Sequence, residues 1–138
     1  FEFIGDLRGM NKADVTKFIA KFGEFFNEEI LGKRKYLRDL SKGNQKKVGI
    51  VAAMMGNPQV VILDEPFANL DPTTQIRLKN IIKTLTENRE ITVLISSHDL
   101  THVTEVCERI VVLDKGNVVK DIKTSTETLK ELESYFSV

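Results

Sequence analysis

Across 138 residues, 20 Lys and Arg balance 20 Asp and Glu, so no net field draws the chain onto nucleic acid or an anionic membrane. A hydrophobic share of 41% suits one soluble domain with a modest core. No apolar run approaches the roughly 18 residues of a membrane-spanning helix, and no stretch has a signal-peptide layout. The single cysteine, Cys107, excludes an internal disulfide, fits a reducing compartment and reads as a small buried hydrophobe.

The chain opens in mid-pattern at Phe1-Glu2-Phe3-Ile4-Gly5, without an initiator methionine, as expected of a segment of a longer polypeptide. Asn11 is placed to cap a helix with Asp14 in its first turn. Val15, Phe18, Ile19, Phe22 and Phe26 then fall on one face at helical spacing, a packing stripe. Gly32-Lys33-Arg34-Lys35 reads as a solvated basic loop.

Leu40-Ser41-Lys42-Gly43-Asn44-Gln45 begins the next helix, with Ser41 as N-cap, Val48, Val51, Ala52 and Met55 on one side, and Gly56-Asn57-Pro58 closing it. Its start is suited to an anion, because free N–H groups and the helix dipole face outward and Gly43 admits a close approach to the main chain. Standing alone, the segment is more often an ordinary capped helix.

Val60-Val61-Ile62-Leu63 is too short for a helix and too continuous for a half-exposed strand, so it predicts a strand buried on both faces. Asp64 and Glu65 follow at its carboxyl end, where open α/β sheets place ligands, and Pro66 ends the ladder. Asp64 can hold a magnesium ion through hard oxygens and Glu65 can polarise a water. Alone, such a pair is more often a solvated turn.

Asp71 and Pro72 start a helix with Leu78, Ile81, Ile82 and Leu85 on its buried face, and residues 87–90 turn the chain back. Ile91 to Ser96 predicts a second buried strand, parallel to the first through the helical crossover. His98 therefore arrives at the sheet edge that holds Asp64 and Glu65, although a lone histidine there is more often structural. His102 is expected on the surface. Asp114-Lys115-Gly116-Asn117 joins two β-rich runs into a hairpin at the sheet edge, and Ser125 or Thr126 caps a last helix through Leu129, Leu132 and Phe136.

Three segments occur in order: Leu-Ser-Lys-Gly-Asn-Gln at 40–45, Val-Val-Ile-Leu-Asp-Glu-Pro at 60–66 with Asn69-Leu70-Asp71-Pro72 behind it, and Ile-Ser-Ser-His-Asp at 95–99. Together they resemble the nucleotide-binding domain of ATP-binding-cassette (ABC) proteins, in its signature motif, its Walker B strand with D-loop, and its switch histidine. The resemblance implies an α/β fold: residues 1–57 as the helical signature subdomain, and residues 58–138 as the C-terminal half of a P-loop NTPase core with a parallel sheet and an edge hairpin.

It also implies roles. Asp64 would reach Mg2+ through water, Glu65 would activate the attacking water, and His98 would contact the γ-phosphate. Ser41 and Gly43, with Asn44 and Gln45 beside them, would bind ATP held mainly by a second subunit in a head-to-tail dimer, and Asp71 would communicate across that interface. Lys42 replaces a usual glycine and Asn44 a usual glutamine. No Gly-x-x-x-x-Gly-Lys-Ser/Thr loop occurs in these residues, and the stacking aromatic and Q-loop glutamine have no counterpart. The chain alone is therefore expected neither to bind ATP tightly nor to hydrolyse it.

The function so implied is an ATPase subunit that powers transport, with export expected, at the cytoplasmic face of the membrane against transmembrane subunits. A soluble ABC-type ATPase and a module completing a partner's ATP site in trans are the alternatives. Sheet edges left open in such a segment favour self-association.

Overall fold

The computed structural model describes residues 1–87 and 90–137. The predicted turn at 87–90 falls partly outside them. Helix α1 (Glu2–Leu7) crosses α2 (Lys12–Ala20) at Gly5, where a Cβ would overlap the Val15 side chain. Asn11 and Asp14 form the predicted capping box, each side chain taking the other's backbone N–H.

The Val15 to Phe26 stripe is buried or half-buried, but not on one helix. The N–H groups of Lys21 and Phe22 bond three residues back, tightening the last turn of α2. A separate turn, α3 (Gly23–Phe26), delivers Phe25 and Phe26 to the core and ends at Asn27, φ +55°. After a 3-10 turn (Leu37–Asp39), α4 (Lys42–Ala53) buries Ile50 and Val51, and Gly56 and Asn57 leave it with left-handed backbone.

Strand β1 (Val60–Asp64) pairs in parallel with β2 (Thr92–Ser96), Val60 opposite Thr92 and Asp64 opposite Ser96. Helix α5 (Pro72–Glu87) makes the crossover and buries Thr74, Leu78 and Ile82. The main core gathers Phe25, Phe26, Val51, Val61, Leu63, Leu78 and Ile82.

Neither strand is buried on both faces as predicted. Val60, Ile62 and Leu94 are 58%, 68% and 60% exposed, because α4 and α5 cover only the side of the sheet that Val61 and Leu63 face. An apolar run of this kind is written for a doubly covered strand, and no described element supplies the second cover.

Helix α6 (Leu100–Val106) leads into β3 (Arg109–Asp114) and β4 (Asn117–Lys123). Their two-residue turn has Lys115 and Gly116 at φ +47° and +81°, the mirror-image turn that suits strand twist. The hairpin forms a two-stranded sheet of its own instead of an edge of the parallel pair. Its inner residues Ile110 and Val112 pack with Val103 and with Leu132 of α7 (Thr128–Phe136). Neither Ser125 nor Thr126 caps α7; Ser125 instead closes the preceding turn with Thr128. Among the described residues no helix is long and apolar enough to cross a membrane.

Candidate functional site

Two parallel strands end at the same level, and that register builds the site. Ser96, opposite Asp64, donates its hydroxyl to Asp64 Oδ1. The N–H of Glu65 donates to the Ser96 carbonyl at 2.9 Å and meets the Ser96 hydroxyl at 3.2 Å. The chain then turns sharply, with Glu65 at φ +46°, and this aims its carboxylate across to the loop after β2. Glu65 Oε1 accepts the His98 N–H at 3.0 Å and lies 2.7 Å from His98 Nδ1. The predicted trio of Asp64, Glu65 and His98 is thus one hydrogen-bonded cluster, with Ser96 at its centre.

The carboxylate raises the His98 pKa above its usual value, first through the hydrogen bond and then through its charge. With Nδ1 committed to Glu65, Nε2 is left for an incoming oxygen.

At the start of α4, Ser41 is exposed and its hydroxyl accepts the Asn44 N–H at 3.2 Å. The Asn44 amide donates to Glu29 at 2.8 Å and the Gln45 amide to the Leu40 carbonyl at 3.0 Å. The Gln45 side chain therefore braces its own turn, while the Asn44 side chain ties that turn to the segment after α3. Gly43 has a structural reason of its own, since a Cβ there would lie 2.8 Å from the Asn69 carbonyl oxygen.

A sequence profile described as ABC transporter matches residues 6–68. The chain is 38% identical over 128 residues to the uncharacterized ABC transporter ATP-binding protein YhaQ of Bacillus subtilis, covering 89% of this chain and 42% of that protein. The chain belongs to the ABC transporter family. It is also 36% identical over 86 residues to the methionine import ATP-binding protein MetN of Carboxydothermus hydrogenoformans, covering 62% of this chain and 26% of the relative. Among solved structures, the ATP-binding cassette MJ0796, dimeric in a post-hydrolysis state with ADP and phosphate, superposes with a TM-score of 0.71 at 28% identity. The match covers 84% of this chain and 50% of that one. The chain thus spans less than half the length of curated relatives that match along most of it.

Within this ABC chain, Asp71 is the N-cap of α5: Thr74 donates both its N–H, at 3.0 Å, and its hydroxyl, at 2.6 Å, to the carboxylate. Those bonds, the hydroxyl's first, hold the exposed Asp71 below the ordinary carboxylate range. His102 is not on the surface. Its side chain is only 14% exposed and its ring stacks on Phe67 with centroids 4.6 Å apart, so the segment after Glu65 rests on the helix after His98.

Two participants escape a reading of the sequence. Ser96 has a signal that could have found it, a hydroxyl ending an apolar strand opposite an aspartate. Lys46, whose ammonium donates to the Glu65 carbonyl at 2.7 Å, has none, because the contact joins a helix and a turn 19 residues apart.

Proposed function

We propose that this chain is part of the ATP-binding subunit of an ABC transporter, with residues 1–57 as its helical part and 58–138 as the second half of its nucleotide-binding core. Asp64, Glu65 and His98 would then form the hydrolytic side of an ATP site whose phosphate loop comes from other residues. The observation that carries this reading is the single Glu65 oxygen shared by the N–H and the Nδ1 of His98. It holds a carboxylate and an imidazole together at the strand end that carries the exposed Asp64.

In this reading Glu65 orients a water and takes its proton as the water oxygen attacks the γ-phosphorus and ADP leaves. His98 donates from Nε2 to a γ-phosphate oxygen. Phosphoryl transfer asks for such positioning and charge neutralisation more than for covalent chemistry. Asp64 fits Mg2+, an ion that keeps several waters and takes one or two carboxylates with phosphate oxygens. Among the described residues no cluster of three or more His, Cys, Asp or Glu competes for a metal. When bound, the ion supplies neutralisation of triphosphate charge.

Ser41, Gly43, Asn44 and Gln45 would serve the nucleotide of a second subunit, with Asp71 near the shared boundary; the dimeric, ADP-bound state of MJ0796 supports this assignment. Transmembrane subunits would hold the protein at the cytoplasmic face. Export is what the family resemblance implies, but a relative named for methionine import gives that direction no support.

The test is phosphate release by the complete subunit carrying Glu65→Gln. Loss of a positioned general base costs about 10²- to 10⁴-fold in turnover while ATP binding persists. A variant that keeps more than a fifth of the parent rate would remove Glu65 from the role.

A further inference from the structure

Glu65 holds a backbone conformation that its neighbours must enforce. Its φ of +46° is unfavourable for any residue with a Cβ, and the proline that follows biases it toward extended backbone. Its N–H is held by Ser96, and its carboxylate faces the His98 loop. Its carbonyl accepts the Ala68 N–H at 3.2 Å within the same turn and the Lys46 ammonium at 2.7 Å. Among these bonds only Lys46 comes from the helical part of the chain.

Lys46 lies in α4, one turn beyond Ser41 and Gly43. Its half-buried stem lines a groove with Gly49, Ile50, Ile62, Asp64 and Pro66. The ammonium therefore reaches the acidic turn along a rigid helix, and a bond from a charged donor is about twice as strong as a neutral one.

We propose that Lys46 is a positioning residue: its bond to the Glu65 carbonyl ties the start of α4 to the turn that aims the Glu65 carboxylate at His98. A shift of α4, such as an anion at Ser41 would impose, then reaches Glu65 through one side chain. Without that tie the turn relaxes toward the extended backbone that Pro66 favours, and the carboxylate leaves His98. The functional meaning rests on the ATPase reading above; the mechanical tie does not.

Amide hydrogen exchange, followed by NMR in the 138-residue chain, tests both separately. Lys46→Met keeps the stem and removes the charge, and should speed exchange at the Glu65 and His98 amides about tenfold by local opening, leaving Val61 and Leu94 unchanged. Lys46→Arg should restore protection. Unchanged exchange at His98 in Lys46→Met, or a uniform rise at every amide, overturns the proposal. Glu65→Ala should by itself expose the His98 amide. If it does so while Lys46→Met has no effect, the carboxylate site stands and only the tie fails. If it does not, the site reading falls and takes the tie with it.

Discussion

One carboxylate oxygen of Glu65 meets both the backbone N–H and the Nδ1 of His98, at 3.0 and 2.7 Å. Because that contact raises the His98 pKa, the protonated imidazole stabilises the fold. Its contribution is complete below the unfolded-state value of about 6.5 and fades as pH rises through the higher folded value. Glu65→Gln should bring the His98 titration, read from imidazole NMR shifts, down toward the ordinary value. An identical titration in parent and variant would show that the two groups do not interact in solution. The His98 side chain is 85% exposed, so added salt should weaken the shift.

Gly43→Ala separates packing from ligand binding. A Cβ would approach the Asn69 carbonyl oxygen to 2.8 Å, closer than such contacts allow, so α4 or the loop before Asp71 must move. Overpacking of this kind costs about 1 to 3 kcal/mol. The loss should appear in a urea melt with no nucleotide present. Parent-like stability would return Gly43 to a purely ligand-facing role.

Much of this site is legible in the sequence because the physics behind it is local. Asp64, Glu65 and His98 follow two short apolar runs joined by a helix, and parallel pairing brings both carboxyl ends to one edge without further information. The caps at Asn11 and Asp71 are equally short-range. What escapes depends on distant partners: Lys46 finds the Glu65 carbonyl across the fold, and His102 is covered by Phe67, although nothing in its polar surroundings marks it for burial. The outer faces of β1 and β2 mislead for a different reason. Their composition suits a doubly covered sheet, and the described residues cover one side only.

ATP binding by the isolated chain should be weak. These residues include no phosphate loop, so the backbone amides and lysine that cradle the triphosphate are missing from its contacts. Calorimetric titration with Mg-ATP should give no saturable heat in the micromolar range, and phosphate release should match the blank. Micromolar saturation would mean that Asp64, His98 and their neighbours bind nucleotide unaided.

The bare face of the parallel sheet makes a sharper prediction, because Ile62 and Leu94 are register partners and stand side by side in solvent. Contiguous apolar surface next to unpaired strand edges favours association between copies. The parent chain should elute larger than a monomer in size-exclusion chromatography. Ile62→Lys with Leu94→Lys should shift it to the monomer position and cost the monomer itself little stability, since in the monomer both side chains face water. On the opposite face Leu63, 5% exposed, should behave differently: Leu63→Ala should cost about 2 to 5 kcal/mol and leave the elution of the folded protein unchanged. A parent chain that runs as a monomer at every concentration would count against association through this face. Equal destabilisation by the lysine pair and by Leu63→Ala would show that the outer face is covered after all.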